Sequence, residues 1–277
     1  RRLNKRKFIF FMEEFSYNEN VASKLLDGFN DYDLKSHQFV FLFNKLLDNK
    51  KNIFKAIEEF KPDGIIIANS YTKKIEINLN NLKLSKILLN CYSNNFNGLT
   101  ILPDDYNGAK KAVNYLFQNN LKKIPIILSS DTWMKGYRDR LSGWRDAHIE
   151  NNINYNDSFI VQPKSNEENA GYIEAKKLLK KNKKIDAIFC TSDEIAMGSY
   201  QAIKEAGLKI PNDISIIGFD NSRISELVKP KLTSVQLPYS EMTQKAIKHI
   251  IDPQKFNDHF NILVESPLIK RESVKGK

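Results

Sequence analysis

The sequence predicts an α/β protein built from two doubly wound, mainly parallel sheets. Short apolar runs, rich in β-branched and aromatic residues, alternate along the chain with segments of helical periodicity. Several of these runs are apolar on both faces, which is typical of strands that helices cover on each side. The runs number about eleven, more than a single open sheet comfortably holds. We therefore expect two subdomains, each with its own sheet.

The elements follow from these two patterns. The first helical segment places Val21, Leu25 and Phe29 on one face, and the later segments repeat that spacing. Gly207 is placed to end one of these helices. The predicted helices occupy residues 19–32, 52–60, 108–120, 140–152, 169–182, 193–207 and 240–252. The predicted strands occupy residues 7–12, 38–43, 64–69, 86–91, 99–102, 124–128, 158–162, 186–190, 214–219, 232–237 and 261–266.

The composition excludes some classes of protein. Hydrophobic residues make up 41% and charged residues 27% of the 277 positions, which fits a globular chain. No apolar run approaches the roughly 18 residues of a membrane helix, so we expect no membrane partner. The net charge of +10 suggests an anionic partner, but the lysines are spread along the chain. Cys91 and Cys190 end apolar runs without metal-ligand spacing, which favours free thiols in the cytoplasm.

The sequence also lacks the usual catalytic patterns. No glycine pattern of a dinucleotide or P-loop site is present, and the four histidines are scattered. We therefore expect no catalytic residue, no cofactor and no metal site. An enzyme that uses two pocket carboxylates as acid and base remains the more distant alternative.

Polar side chains follow many of the predicted strands at the point where each strand ends. The carboxyl ends of parallel strands share one edge of a sheet, where ligands bind. Carboxylates, amides, one arginine and an aromatic ring suit a neutral ligand with many hydroxyls. A simpler reading gives Ser192 and the Asp104–Asp105 pair to helix capping. The predicted ligand-binding residues at this edge are Arg140, Asp220, Ser192, Trp133, Asn69, Asp105 and Glu14.

One long stretch carries a family resemblance. Residues 186–242, "DAIFCTSDEIAMGSYQAIKEAGLKIPNDISIIGFDNSRISELVKPKLTSVQLPYSEM", closely resemble the C-terminal half of the LacI/GalR family of sugar-responsive repressors. They match its S/N-D-x-x-A-x-G, its S-[IVL]-I-G-[FY]-D and its P-x-L-T-[ST]-[VI]-x-x-P. Upstream, "LPDDYNGAKKAVNYL" and "RDRLSGW" are similar to two further motifs. The likeness covers residues 7–272.

The resemblance implies a fold and a site. The fold would be that of type I periplasmic binding proteins, with a ligand cleft between two subdomains. Arg140 and Asp220 match the family's recurrent sugar-hydroxyl ligands, and Ser192 and Asn69 match other lining positions. Asn20 stands where many members carry a ring-stacking aromatic, a role that Trp133 could take over.

The resemblance also implies a function. The chain would be the effector-binding and dimerisation core of a transcriptional repressor, and a small sugar, with the pentose ribose as one candidate, would modulate operator binding. Operator DNA would be bound by an N-terminal helix-turn-helix that this chain lacks. The homodimer would use the first helix and the helix at 240–251. Whether the effector induces or corepresses is left open, and an exported sugar-binding protein of an ABC-type transporter is the alternative.

Domain boundaries follow from the same comparison. Residues 1–7 would be a linker after the missing DNA-binding headpiece. The N-terminal subdomain would comprise 8–122 plus 237–261, and the C-terminal subdomain 123–234 plus 262–272. We also expect replacement of Arg140 or Asp220 by alanine to weaken sugar binding while leaving folding nearly unchanged.

Overall fold

The chain folds into two compact units, each an α/β layer structure around its own sheet, and the predicted fold class is confirmed. The computed structural model describes residues 5–13, 19–30, 37–44, 50–94, 96–131, 133–163, 169–181, 184–253 and 261–276. The first unit comprises Arg1–Pro103 and Pro238–Val264, and the second comprises Asp104–Leu237 and Glu265–Lys277. Across the described ranges, every helix is too short or too polar to cross a membrane.

The first unit has a six-stranded, fully parallel sheet in the order β2-β1-β3-β4-β5-β11. Its central strands are apolar on both faces. Within the sheet, Phe10 pairs with Phe41 of the neighbouring strand on one side and with Ile66 of the neighbouring strand on the other. Its helices are α1 (Glu19–Asp27), α2 (Lys50–Phe60) and α8 (Tyr239–Ile251). Its strands are β1 (Arg6–Glu13), β2 (His37–Asn44), β3 (Gly64–Lys74), β4 (Ser85–Tyr92), β5 (Leu99–Pro103) and β11 (Asn261–Val264).

The second unit repeats this plan in the order β7-β6-β8-β9-β10-β12, with β12 antiparallel to β10. Its strands are β6 (Ile126–Ile127), β7 (Ile160–Val161), β8 (Ala187–Cys190), β9 (Ser215–Asp220), β10 (Thr233–Gln236) and β12 (Leu268–Ile269). Its helices are α3 (Asp105–Gln118), α4 (Lys135–Glu150), α5 (Ala170–Lys181), α6 (Asp193–Glu205) and α7 (Ile224–Leu227).

The elements agree closely with the sequence patterns. Each predicted apolar run overlaps one strand, and each predicted helical segment overlaps one helix, although β3 extends to Lys74 and α4 begins at Lys135. The short elements β12 and α7 were not predicted, because two or four residues are too few to show a periodicity. Among the predicted strands that are shorter in the structure, 124–128 and 158–162 are reduced most, to the two-residue strands β6 and β7.

The division between the units differs from the predicted boundaries at one crossing. The structure places the first crossing after Pro103 rather than after residue 122, and the later ones near the expected positions, after Leu237 and Val264. The reason is the packing of α3, which lies against α4 and β10 of the second unit. The first strand also begins at Arg6, inside the predicted linker 1–7.

Two helices of the second unit cross at a point where only glycine fits. A Cβ added to Gly171 on α5 would lie 2.3 Å from the carbonyl oxygen of Ile195 on α6. A Cβ added to Gly198 on α6 would lie 2.5 Å from the backbone nitrogen of Tyr172. Because both obstacles are backbone atoms, a larger residue forces the helices apart.

We expect Gly171→Ala to destabilise the protein by about 1–3 kcal/mol, the usual cost of overpacking a well-packed contact. Urea unfolding followed by circular dichroism measures the change. Gly276→Ala is the matched control, because no atom lies within 4 Å of a Cβ placed there. Equal unfolding midpoints for Gly171→Ala and the wild type would contradict the close crossing.

Candidate functional site

The candidate site lies at the carboxyl edge of the sheet in the second unit. Its strand order reverses direction between β6 and β8, and ligands bind at such switch points in open α/β sheets. After β6 the chain enters α4, after β8 it enters α6, and β9 ends on Asp220. We therefore expect the predicted polar residues to converge where α4, α6 and β9 meet.

Arg140 on α4 is the centre of this edge. Its Nε donates to Asp105 Oδ1 at 2.8 Å, and its Nη1 donates to the Thr191 carbonyl oxygen at 2.5 Å and to Asp220 Oδ1 at 3.3 Å. The arginine side chain is only 7% exposed. We call Asp105, Arg140 and Asp220 the Arg140 cluster. Within the described residues no acceptor for Arg140 Nη2 is present, so this nitrogen retains its donors for a ligand.

Aromatic rings hold the guanidinium plane. The Arg140 Cζ lies 3.7 Å from the centroid of Phe219 and 5.1 Å from that of Tyr137. A cation over an aromatic face is attracted by the ring quadrupole, more strongly where water is excluded. The planar group is therefore fixed in orientation as well as in position.

Two neighbouring aspartates at the start of α3 have different roles. Asp104 is the cap, because its side chain accepts a hydrogen bond from the Asn107 amide. Asp105 is buried and directs Oδ1 to Arg140, while Oδ2 is a buried oxygen for which the described residues supply no donor. A Cβ added to Gly136 on α4 would lie 3.0 Å from Oδ2, so the glycine leaves room for the carboxylate.

The charged groups of the Arg140 cluster shift one another's pKa values. Burial raises the pKa of Asp105 and the pKa of Asp220 above their ordinary value, although Arg140 acts in the opposite direction. Burial alone would lower the pKa of Arg140, but the two carboxylates raise it. The guanidinium therefore stays charged, held between the carboxylates of Asp105 and Asp220.

Asp220 is the exposed member of the cluster. Its side chain is 24% exposed, against 1% for Asp105. Its backbone has φ of 103° and that of Asn221 has φ of 47°, so both residues occupy the left-handed region. This conformation turns the chain sharply at the end of β9 and leaves the Asp220 carboxylate accessible beside Arg140.

The remaining predicted residues of this unit are near the edge but have other contacts. The Ser192 hydroxyl caps α6 by accepting from the Ile195 amide at 3.3 Å, as the simpler reading had it. Trp133 precedes α4, is 58% exposed and donates from Nε1 to Asp131 Oδ1 at 3.2 Å. A role for either side chain in ligand binding stays a prediction.

The other predicted residues belong to the first unit. Asn69, in β3, is fully buried, and its carbonyl oxygen accepts from Asn90 Nδ2 at 2.9 Å. Asn90 also accepts from the Thr72 hydroxyl at 2.8 Å. Asn20 lies in α1, with its side chain outside the description, and Glu14 lies outside the described residues. The predicted ligand roles of Asn69, Asn20 and Glu14 are untested.

Sequence reasoning missed three contributors to the site. Phe219 lies at the end of the predicted strand 214–219, where the pattern indicates only a core residue, and Thr191 contributes only a carbonyl oxygen, which no side-chain pattern reveals. Tyr137 could have been found, because it lies three residues before Arg140 and so on the same face of α4. Burial raises the pKa of the Tyr137 hydroxyl, which therefore stays protonated.

The site offers donors and acceptors rather than metal ligands or a nucleophile. A guanidinium nitrogen of Arg140 and the accessible carboxylate of Asp220 can bind neighbouring hydroxyls of a polar ligand. Asp105, whose side chain is 1% exposed, supports Arg140, and its own contact with a ligand stays a prediction. The described part of the chain contains no group of three histidine, cysteine or acidic side chains placed to bind a metal.

Comparisons with known proteins identify the family. Residues 113–274 match the family described as "Periplasmic binding protein-like domain". The chain belongs to this family. The HTH-type transcriptional regulator RegA of Clostridium saccharobutylicum is 29% identical over 252 residues, which are 89% of this chain and 74% of RegA. The resemblance to the LacI/GalR family is confirmed: the chain is the effector-binding domain of a LacI-family transcriptional regulator.

Solved structures of the family share the fold. A LacI-family regulator from Rhizobium etli superposes with a TM-score of 0.82 at 24% identity, over 97% of this chain and 98% of its own. The lac repressor dimer bound to operator and the anti-inducer ONPF superposes with a TM-score of 0.79 at 18% identity, over 98% of this chain and 94% of its own.

The burial of Arg140 corrects one expectation from the sequence. An arginine only 7% exposed and paired to a carboxylate only 1% exposed cannot be removed without affecting folding. Removing one partner of a buried ion pair leaves the other charge without compensation. Nearly unchanged folding stays a prediction for Asp220, whose side chain reaches solvent, whereas for Arg140 we now expect a loss of stability.

We expect Arg140→Met to destabilise the protein by about 3–5 kcal/mol, and the double change Arg140→Met with Asp105→Asn to recover part of that loss. Urea unfolding of the four members of this double-mutant cycle measures the coupling. Arg138→Met is the control, since Arg138 is exposed on the same helix. Additive effects of the two changes would show that Asp105 and Arg140 do not act as a pair.

Proposed function

We propose that this chain binds a small, neutral sugar at the Arg140 cluster and acts as the effector-binding and dimerisation core of a transcriptional repressor. The observation that carries the proposal is the immobilised guanidinium of Arg140, which retains the donors of Nη2 next to the accessible carboxylate of Asp220. This pairing of a fixed donor with an acceptor fits adjacent hydroxyls, one of which accepts while the other donates.

The chemistry of the cluster favours a neutral sugar over an anionic ligand. Two carboxylates surround one guanidinium, so an added phosphate or carboxylate would meet at least one uncompensated acid. The donors of Arg140 and the acceptors of Asp220 lie close together, which suits a small sugar ring. A pentose such as ribose remains our candidate, and the participation of Asn69, Asn20 and Glu14 stays a prediction.

A thermal-shift screen with pentoses, hexoses, disaccharides and nucleobases tests the effector class, because a ligand that binds only the folded protein raises its melting temperature. A shift confined to one or more sugars supports the proposal. Shifts with nucleobases alone, or with no compound of the screen, would contradict it.

We expect Asp220→Ala to weaken binding of the sugar found in the screen by about 2–4 kcal/mol, because Asp220 is a charged acceptor at the site. Titration calorimetry measures the affinity, and circular dichroism checks that the variant is folded. Asp157→Ala, which removes an exposed acid elsewhere in the same unit, should bind as the wild type does. Wild-type affinity in Asp220→Ala would refute the site assignment.

The proposed regulation requires operator DNA and a second copy of the chain. We propose that a DNA-binding headpiece attached before this core binds the operator in the cytoplasm, and that the sugar changes operator affinity through its different affinity for two conformations of the core. RegA is named as an HTH-type regulator, and the lac repressor structure is a dimer on operator DNA, which supports this reading over an exported transport protein.

The second copy is proposed to pack on the family's helices α1 and α8 and on an apolar surface of the second unit. In the first unit α1 and α8 pack together, so they can form one continuous contact surface. In the second unit Met197 is 48% exposed, and it lines one surface depression together with Leu208 and Val228. Exposed apolar patches of this kind mark protein contacts.

We expect Met197→Asp to weaken the dimer by about 2 kcal/mol or more, because it places a charge in the apolar contact. Analytical ultracentrifugation over a concentration series measures the dissociation constant. Ile149→Asp is the matched control: Ile149 is 63% exposed, but it lies on α4. If both variants dimerise like the wild type, the surface around Met197 is not part of the dimer interface.

A further inference from the structure

The loop that follows β9 has an unfavourable backbone that its surroundings must hold. Asp220 and Asn221 have φ of 103° and 47°, in the left-handed region that residues other than glycine rarely adopt. Each such residue persists only where neighbouring contacts fix it. The contacts that hold this loop therefore decide where the Asp220 carboxylate is placed.

Asp193 holds the backbone amides of this loop. It is the first residue of α6 and is fully buried. Its Oδ2 accepts from the Ser222 amide at 2.6 Å, and its Oδ1 accepts from the Ser234 hydroxyl at 2.6 Å. The Ser234 oxygen in turn accepts from the Asn221 amide at 3.1 Å. One carboxylate thus fixes two successive amides of the loop, one directly and one through a hydroxyl.

A glycine in β9 makes this arrangement possible. A Cβ added to Gly218 would lie 2.3 Å from Asp193 Oδ1, closer than any side-chain carbon can stand. The carboxylate therefore occupies the space that a side chain at position 218 would need. Gly218 and Asp193 therefore depend on each other: because the strand has no side chain at position 218, the acid can reach the loop.

We propose that Asp193 is a positioning residue of the effector site, which presents the Asp220 carboxylate by holding the amides of Asn221 and Ser222. The proposal rests on the function proposed for the Arg140 cluster. Asp193 is fully buried and its two oxygens accept from Ser222 and Ser234, so it acts on the effector through the loop.

The charge of Asp193 matters because both of its oxygens are acceptors. A protonated acid, or an asparagine, has one donor group in place of an acceptor, so either the Ser222 amide loses its acceptor or the Ser234 hydroxyl must turn from donating to accepting. Burial raises the pKa of Asp193 to about 6, against the effect of the Ser234 and Ser222 hydrogen bonds. The titratable groups around it are Glu194 and Tyr200 on α6, Cys190 at the end of β8 and Asp220 at the end of β9.

Amide hydrogen exchange in the effector-free protein tests the proposal, read by NMR at individual residues. In Asp193→Asn we expect the protection factors of the Asn221 and Ser222 amides to fall at least tenfold. The amides of β8 and of Ser215–Ile217 should keep their protection, which shows that the fold is intact. The matched control is Glu194→Gln, which removes the neighbouring, exposed acid and should leave the loop amides protected.

A pH series gives a second readout that a purely structural role would not produce. As the pH falls from 7.5 to 5 the wild-type carboxylate gains a proton, so the protection factors of the two loop amides should fall through about pH 6. In Asp193→Asn they should be low and independent of pH. The pKa of Asp220 is also raised, so the same series in Asp220→Asn, which keeps Asp193, assigns the loss to Asp193 even if Asp193→Asn folds poorly.

Two results would overturn the proposal: unchanged protection of the loop amides in Asp193→Asn, or the same pH-dependent loss in the variant as in the wild type. The functional readout is the affinity for D-ribose, measured by calorimetry in the wild type and in Asp193→Asn. Exchange is measured without effector, so a wild-type protein that binds no sugar would count against the proposed function and not against the role of Asp193 in the loop.

Discussion

The ligand edge of the second unit depends on the placement of one buried cation, Arg140. A guanidinium removed from water is costly unless acceptors surround it, and here α3, the residue that follows β8, and the last residue of β9 each provide one. The three elements are distant in sequence, so the arginine fixes their ends relative to one another. Any effector that replaces part of this bonding acts on all three elements together. The three hydrogen bonds of Arg140 therefore connect the candidate site to the packing of its own unit.

The tandem acids Asp104 and Asp105 show how a helix end assigns roles to identical side chains. The first satisfies the free amides of α3, so the second is released to enter the interior and pair with Arg140. Gly136 on the facing helix leaves room for the second carboxylate. A helix cap and an ion pair thus occupy adjacent positions, and exchanging either acid for a neutral residue would affect a different property of the protein.

Most of the fold was legible in the sequence, because apolar runs and helical periods report burial directly. Arg140, Asp105 and Asp220 could also be predicted to converge, since each follows a parallel strand or opens a helix at one edge. The first domain crossing was not legible: the apolar face of α3 shows that it packs, but not on which sheet. Ser192 illustrates a second limit, because position at the edge does not reveal that a hydroxyl is already occupied by its own helix.

The discontinuity of the second unit has a consequence for the order in which the molecule is made. The segment Glu265–Lys277 belongs to that unit although it follows the last strand of the first. Arg271 in this segment donates to Asn221 Oδ1 at 2.7 Å, and Ser273 bonds to the backbone of both Thr233 and Ile216. During synthesis the sheet edge around Asp220 therefore lacks part of its support until the whole first unit has been translated. The loop beside the candidate site is the last part of the second unit to acquire its full set of restraints, so a nascent chain cannot complete the site before both units have been synthesised.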